Sequence, residues 1–135
     1  ESALRAGASG EYAFQAAIAA LHARAQRSED TDWAQIARLY EALLQKHPSP
    51  VVELNGAVAI AMAEGSSRGL ALIDALEAKG ALPGYHLLPA ARADLLRREG
   101  RWREAAEAYR QALSLVANDA ERRFLSRRLN EVDPQ

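Results

Sequence analysis

Along the chain, apolar residues recur at three- and four-residue intervals, in stretches separated by short clusters of Gly, Pro, Ser, Asp and Asn. That spacing places one apolar stripe on each of a series of helices joined by turns. Alanine is abundant and β-branched residues are sparse, so no strand is predicted. A first helix is expected over 11–26, with Phe14, Ile18, Leu21 and Ala25 on one face. Asp32 is the expected N-cap of a second helix reaching Lys46, with Trp33, Ile36, Leu39, Tyr40 and Leu43 turned inward, and His47-Pro48-Ser49-Pro50 ends it. The third, over 50–63, carries Val51, Leu54, Val58 and Ile60 and stops at Gly65. Ser66 or Ser67 starts the fourth, with Leu70, Leu72, Ile73 and Leu76, which closes at Lys79-Gly80 before Leu82-Pro83-Gly84. A fifth is expected over 85–98, where Pro89 can delay the start, and a sixth over 102–115. Asn118 or Asp119 then caps a seventh carrying Phe124, Leu125 and Leu129.

The second and sixth helices repeat one another. Trp33, Ile36, Tyr40 and Leu43 have the same spacing as Trp102, Ala105, Tyr109 and Ala112, 69 residues later. That offset is two periods of about 34 to 35 residues, the tetratricopeptide period. A middle copy comes from Gly69, Ile73 and Leu76. The chain therefore resembles a tetratricopeptide array. The resemblance implies an all-α, right-handed superhelix of three antiparallel helix pairs, about 11–48, 49–83 and 84–117, closed by a capping helix over 118–132, with 1–10 as a linker. In such pairs a small residue sits where the helices approach closely, a role open to Ala57 and Ala93, and the stripe of Trp33, Tyr40, Trp102 and Tyr109 is expected in the interhelical core.

Composition narrows the chemistry. The 135 residues contain no cysteine, which removes disulfides, thiolate zinc sites and thiol catalysis. A formal net charge of −1 supplies no long-range pull on a polyanion. No apolar run approaches the roughly 20 residues that cross a bilayer. His22, His47 and His86 fall on separate elements, so no local metal pair arises, and no GxSxG, phosphate loop or GxGxxG is present. Neither catalysis nor a cofactor nor a metal nor a small-molecule substrate is expected; a protein partner is.

Longer stretches go beyond a generic repeat. They are Tyr12-Ala13-Phe14-Gln15-Ala16-Ala17-Ile18, Asp32-Trp33-Ala34-Gln35-Ile36, Pro48-Ser49-Pro50-Val51-Val52-Glu53-Leu54-Asn55, Gly84-Tyr85-His86-Leu87-Leu88-Pro89-Ala90-Ala91-Arg92-Ala93-Asp94 and Ala120-Glu121-Arg122-Arg123-Phe124-Leu125. In this order they resemble the C-terminal extension of one group of bacterial extracytoplasmic-function RNA polymerase sigma factors. The resemblance covers about 10–129. It implies a cytoplasmic parent protein whose N-terminal domains bind polymerase and read promoter DNA, with this chain as its regulatory, protein-binding end. The implied partners are the sigma domains of the same chain, RNA polymerase or a separate regulator. Glu1 to Gly10 has linker composition, in keeping with a piece of a longer chain. The family tends to carry Arg where Gly56 stands, so no basic side chain is expected to act there.

The concave face of a repeat stack is built mainly from the first helix of each pair. Gln15, His22, Asn55, His86, Arg92 and Asp94 are the polar residues expected on it. From Tyr85 onward ten Arg face eight acidic residues, and Arg122, Arg123, Arg127 and Arg128 form a candidate basic patch. Two other readings stay open: a free-standing adaptor for a peptide or protein, motivated by the repeats alone, and an auxiliary DNA contact through those arginines.

Overall fold

The structure is a computed structural model and describes residues 32–133. The first predicted helix, with Gln15 and His22, lies outside the described residues. Among these the elements are all helical: α1 (Trp33–Lys46), α2 (Pro50–Glu64), α3 (Ser66–Ala78), α4 (Leu87–Arg98), α5 (Trp102–Leu115) and α6 (Asp119–Val132).

Local sequence sets the helix ends. Asp32 accepts a hydrogen bond from the Gln35 amide at 2.9 Å. Ser49 Oγ accepts from the Val51 and Val52 amides at 3.2 and 3.4 Å, with Pro50 at the first helical position, where its missing N–H costs nothing. Asn118, not Asp119, caps α6, accepting from the Glu121 amide at 3.0 Å. Gly65 alone joins α2 to α3, and its φ of 117° is open only to glycine without strain. The fifth predicted helix begins two residues later than expected, at Leu87, so that Pro89 falls in its first turn.

α2 and α3 fold back on each other, as do α4 and α5, and α6 closes against α5. The repeat is visible in the packing. Ile36, Gly69 and Ala105 are equivalent, as are Tyr40, Ile73 and Tyr109, and then Leu43, Leu76 and Ala112; all nine are buried. Ala57 and Ala93, the small residues of the first helices, are buried as well. The fold is thus all-α and built of helix pairs. One core runs from α2 to α6, and a smaller one joins Ile36, Tyr40 and Leu43 of α1 to Val52 and Ala59 of α2. α2 faces both, which is why its sequence is apolar nearly all round.

Not every apolar position points inward. Trp102, expected in the core, is 54% exposed, and Trp33 is only half-buried. Both stand at the first residue of their helix, Trp33 at the edge of the smaller core, while the tyrosines about two turns further in are buried. Val51, Leu72 and Phe124 are also exposed.

Candidate functional site

Among the described residues, α1, α2 and α3 form a groove of about 420 Å³. α1 and α3 each pack on α2, which lies between them as the floor. The floor is set by Gly56 and Ile60, with Tyr40 of α1 beside Gly56: a Cβ on that glycine would stand 3.4 Å from the Tyr40 Cβ. Ala34 and Ala37 keep the α1 wall low, Ala75 does the same on α3, and Leu72 rises at the rim with 40% of its surface exposed. Burial pushes the Tyr40 phenol up from its ordinary value, so it stays a neutral hydroxyl.

Charges ring this apolar cleft. Arg68 pairs with Glu64 at 3.0 Å, one turn apart across the α2–α3 connection, and Lys79 reaches Glu53 at 3.5 Å. Arg38 and Glu41 on the α1 wall enter no ion pair among the described residues. An apolar floor with a charged rim suits a protein segment that seats one or two apolar side chains.

Of the residues expected from sequence to share a binding face, the four described ones are not part of this groove. Asn55 is exposed on α2 but does not line it. His86 Nε2 lies 2.9 Å from Glu121 Oε2 and ties the start of α4 to the first turn of α6. Arg92 Nε donates to Asp74 at 2.9 Å, bridging α4 to α3. Asp94 takes Arg97 at 2.6 Å and Arg98 at 3.3 Å, and Arg97 Nε also donates to the Tyr109 hydroxyl at 3.3 Å. Burial alone would raise the Asp94 carboxyl, but the Arg97 and Arg98 hydrogen bonds and charges outweigh it and hold it below its ordinary 3.8. Three of the four described candidates are therefore engaged in tying helices together or bracing α4. Sequence spacing gave no way to see this, because two of their partners, Asp74 and Glu121, are 18 and 35 residues away.

In the basic patch, Arg122 donates to the Val116 carbonyl at 2.8 Å, and Arg128 pairs with Glu131 at 3.1 Å while its guanidinium lies 5.2 Å from the Phe124 ring centroid. Arg123 and Arg127 are exposed. Among the described residues no group of three or more His, Asp or Glu side chains could hold a metal, and no helix is long and apolar enough to cross a membrane.

The chain has a relative in Rhizobium meliloti (strain 1021). It is 42% identical to this uncharacterized protein over 132 residues, which is 98% of the chain but 31% of the relative. The chain thus spans about a third of the length of the relative it matches. No family model and no solved structure matches it.

Proposed function

We propose that this chain is a protein-interaction domain, the C-terminal regulatory extension of an extracytoplasmic-function RNA polymerase sigma factor, and that its α1–α3 groove receives an apolar-anchored protein segment. The observation that carries the binding role is the groove itself: an open apolar cleft, floored by a glycine, on a surface whose charges are largely paired. The sigma-factor assignment rests on the resemblance of the five sequence stretches. A relative about three times as long, in which the matching region is one part, supports a module within a larger chain. In this role the extension acts on promoter-directed transcription in the cytoplasm by holding a segment of the sigma domains, of polymerase or of a regulator.

The test is made in the full-length parent protein. Leu72→Glu places a charge on the groove rim at an exposed position, so folding is preserved. Promoter-specific transcription in vitro is expected to change with L72E and with deletion of the whole domain, whereas Asn55→Ala, outside the groove, leaves it as it is. Unchanged transcription and regulation on deletion would overturn the sigma-factor reading. A change on deletion with none for L72E would overturn the groove as the contact.

A further inference from the structure

The outward face of α6 differs from most of the C-terminal half. There, most arginines are committed, Arg92 to Asp74, Arg97 and Arg98 to Asp94, Arg101 to Glu99 and Glu104, Arg110 to Asp133, while Arg103 of α5 stands exposed as a single cation without an ion pair among the described residues. Arg123 and Arg127 take part in no hydrogen bond or ion pair among the described residues, although Asp119 and Glu131 stand four residues from them on the same helix. Asp119 is left unused and Glu131 is taken by Arg128, so both guanidinium groups stand in solvent, free for an external anion.

To one side of them, about 100° round the helix from Arg123 and about 60° from Arg127, stands Phe124, 47% exposed. The Arg128 guanidinium packs against this ring, held in turn by Glu131, while the Arg128 Nε is buried without a hydrogen bond. The ring is thus kept at the surface by a cation beneath it. Arg123 and Arg127 are one turn apart, about 6 Å along the helix axis. Two cations at that spacing with an aromatic ring to one side of them make a small set of the two elements that grip an unpaired strand, phosphate contacts and a stacking surface. An acidic peptide would use the cations but has no need of the ring, and an anionic lipid surface would call for more than two free cations.

We propose that the Arg123–Phe124–Arg127 face of α6 binds single-stranded nucleic acid, pairing two successive phosphates with the arginines and stacking a base on Phe124. The inference is independent of the groove and of the partner assigned to it. With two phosphates contacted, and Asp119 and Glu131 close by, the contact is weak, with a dissociation constant of about 1–100 µM near physiological salt.

Fluorescence anisotropy of a labelled single-stranded 20-mer DNA of mixed sequence, titrated with the chain between 50 and 200 mM salt, tests this. The expected slope of log K against log salt is about −1.4, from about 0.7 per phosphate neutralised. Arg123→Gln with Arg127→Gln is expected to abolish the salt-dependent binding. Phe124→Ala is expected to weaken it about 5- to 150-fold, the range for removing one stacking partner. All three positions are exposed, and far-ultraviolet circular dichroism confirms that each variant folds. Absence of salt-sensitive binding overturns the proposal, as does wild-type affinity in the double arginine variant. Binding of a poly-glutamate peptide or of phosphatidylserine vesicles as tight as that of the oligonucleotide overturns it in favour of a protein or a membrane. Equal affinity for duplex and single strand, with F124A unaffected, overturns the stacking contact.

Discussion

Among the described residues two glycines, Gly56 and Gly69, sit inside helices, and substitution by alanine is expected to move stability in opposite directions. A Cβ on Gly69 of α3 would stand 2.4 Å from the Ala61 Cβ and 2.8 Å from the Ala57 carbonyl oxygen, both on α2, and 3.1 Å from Leu95 of α4. Carbon atoms rest at about 3.5–4.0 Å, so the first contact alone asks α2 and α3 to separate by more than about 1 Å. Over-packing of this kind costs about 1–3 kcal/mol, and the backbone oxygen cannot swing aside as a side chain would, which places Gly69→Ala at the upper end. Replacing a helix-interior glycine returns about 1 kcal/mol. The net expectation is a loss of about 2 kcal/mol, a fall in Tm of roughly 8 °C for a domain near this size. At Gly56 the nearest atom to the new Cβ is 3.4 Å away, so Gly56→Ala keeps the propensity gain and stabilises by about 0.5–1 kcal/mol. Urea unfolding followed by circular dichroism at 222 nm reads both from the midpoint at constant slope. Ala61→Gly in the Gly69→Ala background removes the shortest contact and should restore part of the loss, a coupling that the single variants do not show. If Gly69→Ala proves as stable as the wild type, or if both glycines shift stability the same way, the close approach of α2 and α3 is not what fixes glycine at position 69.

Three further outcomes are expected. The Arg97 and Arg98 guanidinium groups hold the Asp94 carboxyl below its ordinary value in the folded chain, so its ionised form adds stability above about pH 4 that is lost as pH falls through the folded value. Asp94→Asn should be less stable by under about 1 kcal/mol at pH 7, the pair being partly exposed, and the gap should close on acidification below about pH 4; a gap independent of pH in urea titrations would refute the pairing. Trp102 is the more exposed tryptophan, so Trp33→Phe should leave red-shifted emission readily quenched by acrylamide, whereas Trp102→Phe should leave the less quenched indole; the reverse order would contradict the orientation of α5. Ser49→Ala should cost about 1 kcal/mol through loss of the α2 cap and Ser49→Gly only a few tenths, measured by the same urea midpoints.

The helices were legible because their signals are local. Asp32, Ser49 and Asn118 cap where a short polar side chain precedes an apolar period, and Gly65 and Gly100 end helices with positive φ. The repeat was legible at Ile36, Tyr40 and Leu43 against Ala105, Tyr109 and Ala112, since burial recurs at those spacings. What periodicity does not carry is the distance from an apolar residue to its nearest neighbouring helix. Val51, Leu72 and Trp102 obey the apolar pattern and still face outward. Nor does it carry which polar residues find each other across pairs: His86, Arg92 and Asp94 read as a free polar face, whereas Glu121, Asp74, Arg97 and Arg98 engage them.

The same limit explains why the groove is invisible in the sequence. A small residue has two structural meanings that a pattern cannot separate. At Gly69 and Ala93 it marks a place where another helix already fills the space, and enlarging it forces the pair apart. At Ala34 and Ala75, both exposed, it lines an open cleft between α1 and α3, above a floor where Gly56 packs against Tyr40. The first kind holds the repeat together and the second leaves room for a partner.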